Sequence, residues 1–368
     1  MNLAKQINRL HLGAQAIRKR LPGHRPGVYY IVPDANWSVD WDGHYITKGV
    51  REQFPVRAQL SQNPRWLSGQ ILHYGSLWSF VGNIGAIHNA RNQVVATVFH
   101  GSRDGSNPKL AEGIERLLVA KDEIDRLVVS NTIMRQRFVD WGMPEEKIAC
   151  IPLGVDLNIF KPASISHSQE MRQKLGIAED AFCVGSFQKD GQGWEKGLEP
   201  KLIKGPDLFV DAIQQLSGRH KMHILLTGPA RGYVKTELDK IEVPYTHHVL
   251  DDYEEIVDYY AALDAYLVAS REEGGPKGVL ESLACGVPLV SSSVGLAPDV
   301  IKDGVQGLLV ECEDTSGMAN ALQRVIEDKV LNKSLREAGL QRIQAFDWLK
   351  ISAAYYRQVY QPLIEGEG

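Results

Sequence analysis

Apolar and polar residues alternate along this chain in two rhythms. Short strand-like runs, rich in Val, Ile, Leu and Tyr, recur at Val28 to Val32, Val94 to Phe99, Leu127 to Val129, Phe182 to Phe187, His223 to Thr227, Ala265 to Val268, Pro288 to Ser291 and Gly307 to Val310. Unbroken apolar runs suit strands covered on both faces. Between them lie stretches such as Asp207 to Leu216 and Tyr253 to Leu263, whose apolar positions fall at helical spacing. Strand, helix, strand, helix implies a parallel sheet of βαβ units, which binds ligands at the carboxyl ends of its strands. The rhythm pauses once, where Ile151 to Pro162 is followed by the polar stretch Ala163 to Gln169. The pause marks a boundary between two α/β domains, 1–154 and 155–349.

The first 27 residues follow a different pattern. Leu3, Ile7, Leu10, Ala14, Ile17 and Leu21 share one helix face, Lys5, Arg9, Arg18, Lys19, Arg20 and Arg25 are basic, and no acid precedes Asp34. This pattern suits a helix packed on its own domain, or a basic amphipathic helix lying on an anionic membrane. Composition narrows the picture. Hydrophobic residues make up 43% of the 368, enough for buried cores, and 41 basic residues against 45 acidic ones argue against a nucleic-acid binder. No apolar run reaches the roughly 18–20 residues that span a bilayer. The four cysteines are far apart and fit a reducing compartment; with no secretory signal visible, the expected location is cytoplasmic.

Several chemistries are excluded by inspection. Gly-Lys never occurs, so there is no Walker phosphate loop, and neither a nucleophile elbow nor a zinc-protease spacing is present. Gly191-Gln192-Gly193-Trp194-Glu195-Lys196-Gly197 misses the dinucleotide fingerprint by one place and sits in a polar loop, which leaves an oxidoreductase unsupported. The densest signal is Ser270-Arg271-Glu272-Glu273-Gly274-Gly275-Pro276-Lys277-Gly278-Val279-Leu280-Glu281, between an apolar run and a helix. Glycines let backbone N–H groups approach an anion, and a helix N-terminus adds partial positive charge, as a diphosphate requires. Carboxylates flanking such a site suit hydrogen bonding to sugar hydroxyls.

Glu273 and Glu281, with seven residues between them, resemble the E-x7-E hallmark of the family 4 retaining glycosyltransferases. Ile151 to Asp156 with Phe160-Lys161-Pro162, Lys204 to Leu208, Val290 to Glu311 and Phe346-Asp347-Trp348 resemble other segments of that family. The resemblance implies the GT-B fold, two Rossmann-like domains with parallel sheets facing a cleft. The C-terminal helix, 350–368, would join the N-terminal domain. It further implies that 1–154 holds the acceptor and 155–349 a UDP- or GDP-sugar.

By the same resemblance, Glu281 meets the ribose. Glu273 with Gly274, Gly275, Pro276 and Lys277 holds the sugar, and the N–H groups of Gly278 and Val279 meet the diphosphate. Lys204 is one neutralising cation. The second is usually an arginine where Ser186 stands here, and Lys189 is its expected replacement, ahead of Lys196 and Lys201. Thr97 to Gly101 resembles the strand end that carries an active-site histidine, here His100. Gly43, in a loop Asp40 to His44, is the expected N-domain contact with the diphosphate, and base recognition is expected near His248 to Asp252. Asp40-x-Asp42 matches the metal motif of the GT-A fold, but such pairs arise by chance, and no metal or other cofactor is expected.

The expected activity is transfer of a hexose-type unit to a hydroxyl with retention, in cell-envelope polysaccharide or glycolipid synthesis. The expected partners are the donor, a glycan or lipid-linked acceptor and an anionic membrane surface touched by residues 1–27. A GT-B epimerase or hydrolase would need no acceptor, and a non-catalytic glycan-binding relative would show no turnover.

Overall fold

The computed structural model describes residues 25–32, 38–87, 92–104 and 107–366. The basic N-terminal pattern over 1–24 lies outside the described residues. The chain divides into two compact units, one formed by 1–153 and 348–368 and the other by 154–347.

The first unit holds a six-stranded parallel sheet. Its strands are β1 (Val28–Ile31), β2 (Ala58–Ser61), β3 (Ile71–Tyr74), β4 (Gln93–Val98), β5 (Arg126–Val129) and β6 (Ile148–Cys150). They lie in the order β2-β1-β3-β4-β5-β6, every pair parallel. The second unit repeats the plan with β7 (Phe182–Ser186), β8 (Met222–Thr227), β9 (Tyr245–His248), β10 (Ala265–Val268), β11 (Leu289–Ser292) and β12 (Leu308–Val310). Its order is β12-β11-β10-β7-β8-β9. From β7 the chain first builds outward to β8 and β9, then returns to the other side of β7 with β10. The strand order therefore reverses between β7 and β10, and such a point opens a crevice at the strands' carboxyl ends.

Three of the strands absent from the sequence-based reading lack an unbroken apolar run. Strands β2 and β9 are sheet edges, and their residues (AQLS and YTHH) are largely half-exposed, so they lack an apolar run. Strand β3 is fully buried but carries His73 in its middle. Residues Asp40 to His44 are not a loop. They lie within helix α1 (Ser38–Gln53), which corrects the expected setting of Gly43. A Cβ on Gly43 would come within 2.5 Å of the Tyr30 ring, so this glycine admits a buried tyrosine against the helix.

The C-terminal segment closes the first unit. Helix α5 (Trp348–Tyr355) packs on α1, with Tyr45 and Trp348 stacked in parallel at 5.2 Å and Gln53 donating to the Leu349 carbonyl at 2.9 Å. A π-helical turn, Tyr356–Tyr360, follows and delivers the Tyr360 hydroxyl to His73. The ring of His73 is fully buried. Nδ1 lies 2.6 Å from the Tyr360 hydroxyl and Nε2 lies 2.6 Å from that of Thr97. Burial pulls its pKa down to about 3, so the ring is neutral across the physiological range.

In the unfolded chain the same ring takes up a proton below about pH 6.5. The unfolded state then binds more protons than the folded one, and stability is lost as pH falls from about 6.5 toward 3. The slope has a ceiling of about 1.4 kcal/mol per pH unit. Urea unfolding of wild type and His73→Gln between pH 7 and pH 4 should show a steeper acid loss in the wild type. Parallel curves would mean that His73 is protonated in the fold.

Candidate functional site

The loops that leave β7 and β10 flank the reversal point of the second sheet, and both carry charged residues. The loop after β7 runs through Lys189, Asp190 and Lys201 to the short turn Leu202–Lys204. Gly205 follows with φ of +61°, and helix α2 (Pro206–Ser217) starts with proline at its first position. A Cβ on Gly205 would lie 1.8 Å from the Ala269 carbonyl oxygen, so the two loops cross backbone to backbone. The loop after β10 contains Ser270 to Pro276 and leads into helix α4 (Lys277–Ala284).

Glu273 and Lys204 meet where the loops cross. The Lys204 ammonium lies 2.5 Å from Glu273 Oε1, and the same oxygen accepts from the Ser270 hydroxyl at 3.1 Å. The Glu273 side chain is 8% exposed, so its charge is largely withdrawn from water and is met by the lysine. Arg271 fixes the crossing from the outer side. Its guanidinium donates to both carboxylate oxygens of Asp207 at 2.7 Å, to the Leu202 carbonyl at 2.8 Å and to Glu313. Such planar two-point contacts fix geometry as well as charge.

Glu281 lies further along α4, with only 4% of its surface exposed. One oxygen accepts from the Tyr260 hydroxyl at 2.9 Å and the other from the Tyr253 hydroxyl. Burial pushes its pKa up, and Tyr253, nearby Lys277 and Tyr260 pull it back. Gly274, Gly275 and Pro276 form the turn between Glu273 and α4, and Lys277 opens the helix with its ammonium 5.6 Å from the Tyr253 ring centre. A Cβ on Gly278 would strike the Tyr266 ring at 2.5 Å, so this glycine seats α4 against β10. Val279 departs from expectation. Its N–H donates to the Pro276 carbonyl at 2.9 Å and is spent on closing the first helical turn.

Lys189 also has a local partner, because its ammonium rests 3.7 Å from the ring centre of Trp194. Partial burial lowers its pKa. Lys201 shares the field of the central pair. Burial first, then the charge of Lys204, lowers its pKa, while Glu273 opposes the shift. Ser186 is met by a residue that sequence reasoning missed: Arg231, from the far side of β8, donates to its carbonyl and its hydroxyl. The glycine run at Gly191 and Gly197 packs against the Ala230 backbone and has a structural role.

In the first unit, His100 follows β4, and the Asn131 side chain donates to the carbonyl of its neighbour Phe99 at 3.4 Å. Asp42 in α1 is buried beside Tyr30. Among the described residues, no group of three or more His, Cys, Asp or Glu side chains converges as a metal site would.

Residues 197–328 match the model of a family described as glycosyl transferases group 1, a stretch that contains Lys204, Glu273 and Glu281. A relative from Catenulispora acidiphila, named D-inositol 3-phosphate glycosyltransferase 1, is 26% identical over 328 residues, covering 82% of this chain and 71% of its own length. Among solved structures, Anabaena HepE in complex with UDP and glucose superposes with a TM-score of 0.74 at 18% identity, over 92% of this chain and 99% of that one. Sucrose-phosphate synthase from Thermosynechococcus elongatus gives 0.66 at 22% identity, over 80% and 74%. These structural likenesses carry the fold, two Rossmann-like units of the GT-B type, and the sequence matches carry the chemistry. With both in agreement, the chain is a glycosyltransferase of the GT-B fold whose residues 197–328 are similar to the group 1 family.

Proposed function

We propose that the second unit binds a nucleoside-diphosphate hexose, a UDP-sugar in the first place, and that its sugar passes to a hydroxyl acceptor with retention at the anomeric carbon. The observation that carries this reading is the Lys204–Glu273 pair at the carboxyl ends of β7 and β10, with Glu281 buried on the helix that follows. HepE, which shares the fold, was solved with UDP and glucose, and this supports the choice of base.

The roles follow from charge. Lys204 turns from Glu273 to the diphosphate and stabilises the negative charge that builds there as the glycosidic bond breaks. Glu273 accepts hydrogen bonds from sugar hydroxyls, oriented by Ser270. Glu281 accepts from the ribose, and the Tyr253 hydroxyl gives up its place there while Tyr260 stays. A phosphate oxygen of the leaving group takes the acceptor's proton, so no covalent sugar–enzyme intermediate forms. Positive charge from Lys204 and from the start of α4 serves in place of a metal ion. The first unit is assigned the acceptor, with His100 directed to the sugar. Cell-envelope polysaccharide or glycolipid synthesis is the setting that this reading favours, at the cytoplasmic side of the membrane. Among the described helices, none is long and apolar enough to cross a membrane.

Glu281→Ala removes a charge-assisted bond worth roughly 1.5–3 kcal/mol, so UDP affinity measured by calorimetry should drop about tenfold or more. Unchanged affinity would remove the ribose assignment.

Lys204→Ala should lower kcat by a larger factor than it raises the donor KM, because its contact strengthens in the transition state. A rise in KM alone would reduce this lysine to an anchor. Turnover should also survive EDTA, and a loss that Mn²⁺ restores would return the metal reading to Asp40 and Asp42.

A further inference from the structure

Arg231 is the bulkiest of the fully buried side chains among the described residues, with 1% of its surface exposed. It stands at the entrance of helix α3 (Gly232–Lys240), after Ala230, whose φ of 56° lies in the left-handed region. Nη1 donates to the carbonyls of Ser186 at 2.5 Å and Thr227 at 3.0 Å. Nη2 donates to the Ser186 hydroxyl at 3.1 Å, and Nε lies 3.0 Å from Asp190 Oδ1. A single guanidinium therefore holds the last residues of β7 and β8 together with the start of the loop that carries the lysines.

The contacts continue from Asp190 to the reacting charges. The Asp190 carbonyl accepts from the Lys201 N–H at 2.7 Å, the Lys201 carbonyl accepts from the Lys204 N–H at 2.8 Å, and the Lys204 ammonium meets Glu273 at 2.5 Å. The far side of the loop is sewn to the start of α3, whose Gly232 and Tyr233 N–H groups donate to the carbonyls of Lys196 and Gly197, both at 2.8 Å. The loop is thus fixed at both ends of its span, and the Lys204 backbone is placed through Asp190.

A buried ion pair is a weak way to gain stability, since desolvation offsets the attraction and apolar replacements of similar volume are often neutral. What the pair supplies is geometry. We propose that Arg231, acting through Asp190, is a positioning residue for sugar transfer: it sets where the Lys204 ammonium stands and thereby governs the rate of transfer more than the affinity for nucleotide. The proposal rests on the role assigned to Lys204 above. Donor affinity is shared among many contacts, whereas a catalytic cation tolerates only about half an ångström of error.

The test uses the full chain with a panel of UDP- and GDP-hexoses, following nucleotide release, and UDP binding by calorimetry. Arg231→Lys keeps a cation opposite Asp190 but loses the fork to Ser186 and Thr227. Its kcat should fall about tenfold or more, while the donor KM and UDP affinity change by less than about threefold. Added to Lys204→Ala, it should lower kcat no further, because residues acting as one unit are not additive. The paired exchange Arg231→Met with Asp190→Leu removes both charges, retains the fold and should lose kcat in the same way. Wild-type kcat in either folded variant overturns the proposal, and so does an equal fold-loss from Arg231→Lys with and without Lys204. A wild-type protein that binds no UDP and turns over no donor overturns the reading of Lys204 instead.

Discussion

The crossing of two loops at the carboxyl ends of β7 and β10 is the constraint on which the geometry of the second unit's candidate site depends. Gly205 passes so close to the Ala269 carbonyl that no side chain fits between them, and this brings the Lys204 ammonium to Glu273. Two opposite charges drawn out of water attract strongly, and their pair adds to a crossing that the Arg271 and Glu272 N–H groups also hold through the Ile203 carbonyl. Arg271 clamps it from outside through Asp207, and Arg231 holds the start of the loop after β7 through Asp190. Parallel strand order decides that these loops are neighbours at all, because only the reversal between β7 and β10 leaves a crevice there.

In each unit a tyrosine hydroxyl meets a buried polar side chain. Glu281 retains a pair of hydroxyl donors in place of water, and one of them, Tyr253, lies in a partly exposed turn. A ligand hydroxyl can therefore replace a protein hydroxyl without leaving the carboxylate bare, which lowers the cost of exchange. In the first unit, Tyr360 does the same for His73, and the π-helical turn that carries it ties the end of the chain to β3. The C-terminal segment belongs to the first unit through this bond and through the stack of Tyr45 on Trp348.

The second unit gathers Lys201, Lys204 and the start of α4 on the side of its sheet where β7 and β10 end. Lys201 lies in the field of Lys204, which lowers its pKa beyond the effect of burial, while Glu273 opposes the shift. Lys189 rests on the face of Trp194 and adds its charge to the same field.

The sequence by itself determined the architecture and the central charges. Apolar runs such as Ala265 to Val268 mark strands covered on both faces, and the E-x7-E spacing places Glu273 before α4 and Glu281 within it. Those signals are local, which is why they can be read along the chain. Edge strands β2 and β9 carry no such signal, since half their residues need not be apolar. Only the tertiary structure decided that Gly43 lies against Tyr30 and that Arg231 reaches Ser186 across 45 residues. Each of these depends on a partner distant in sequence, and a distant partner is fixed by packing and not by the residues on either side.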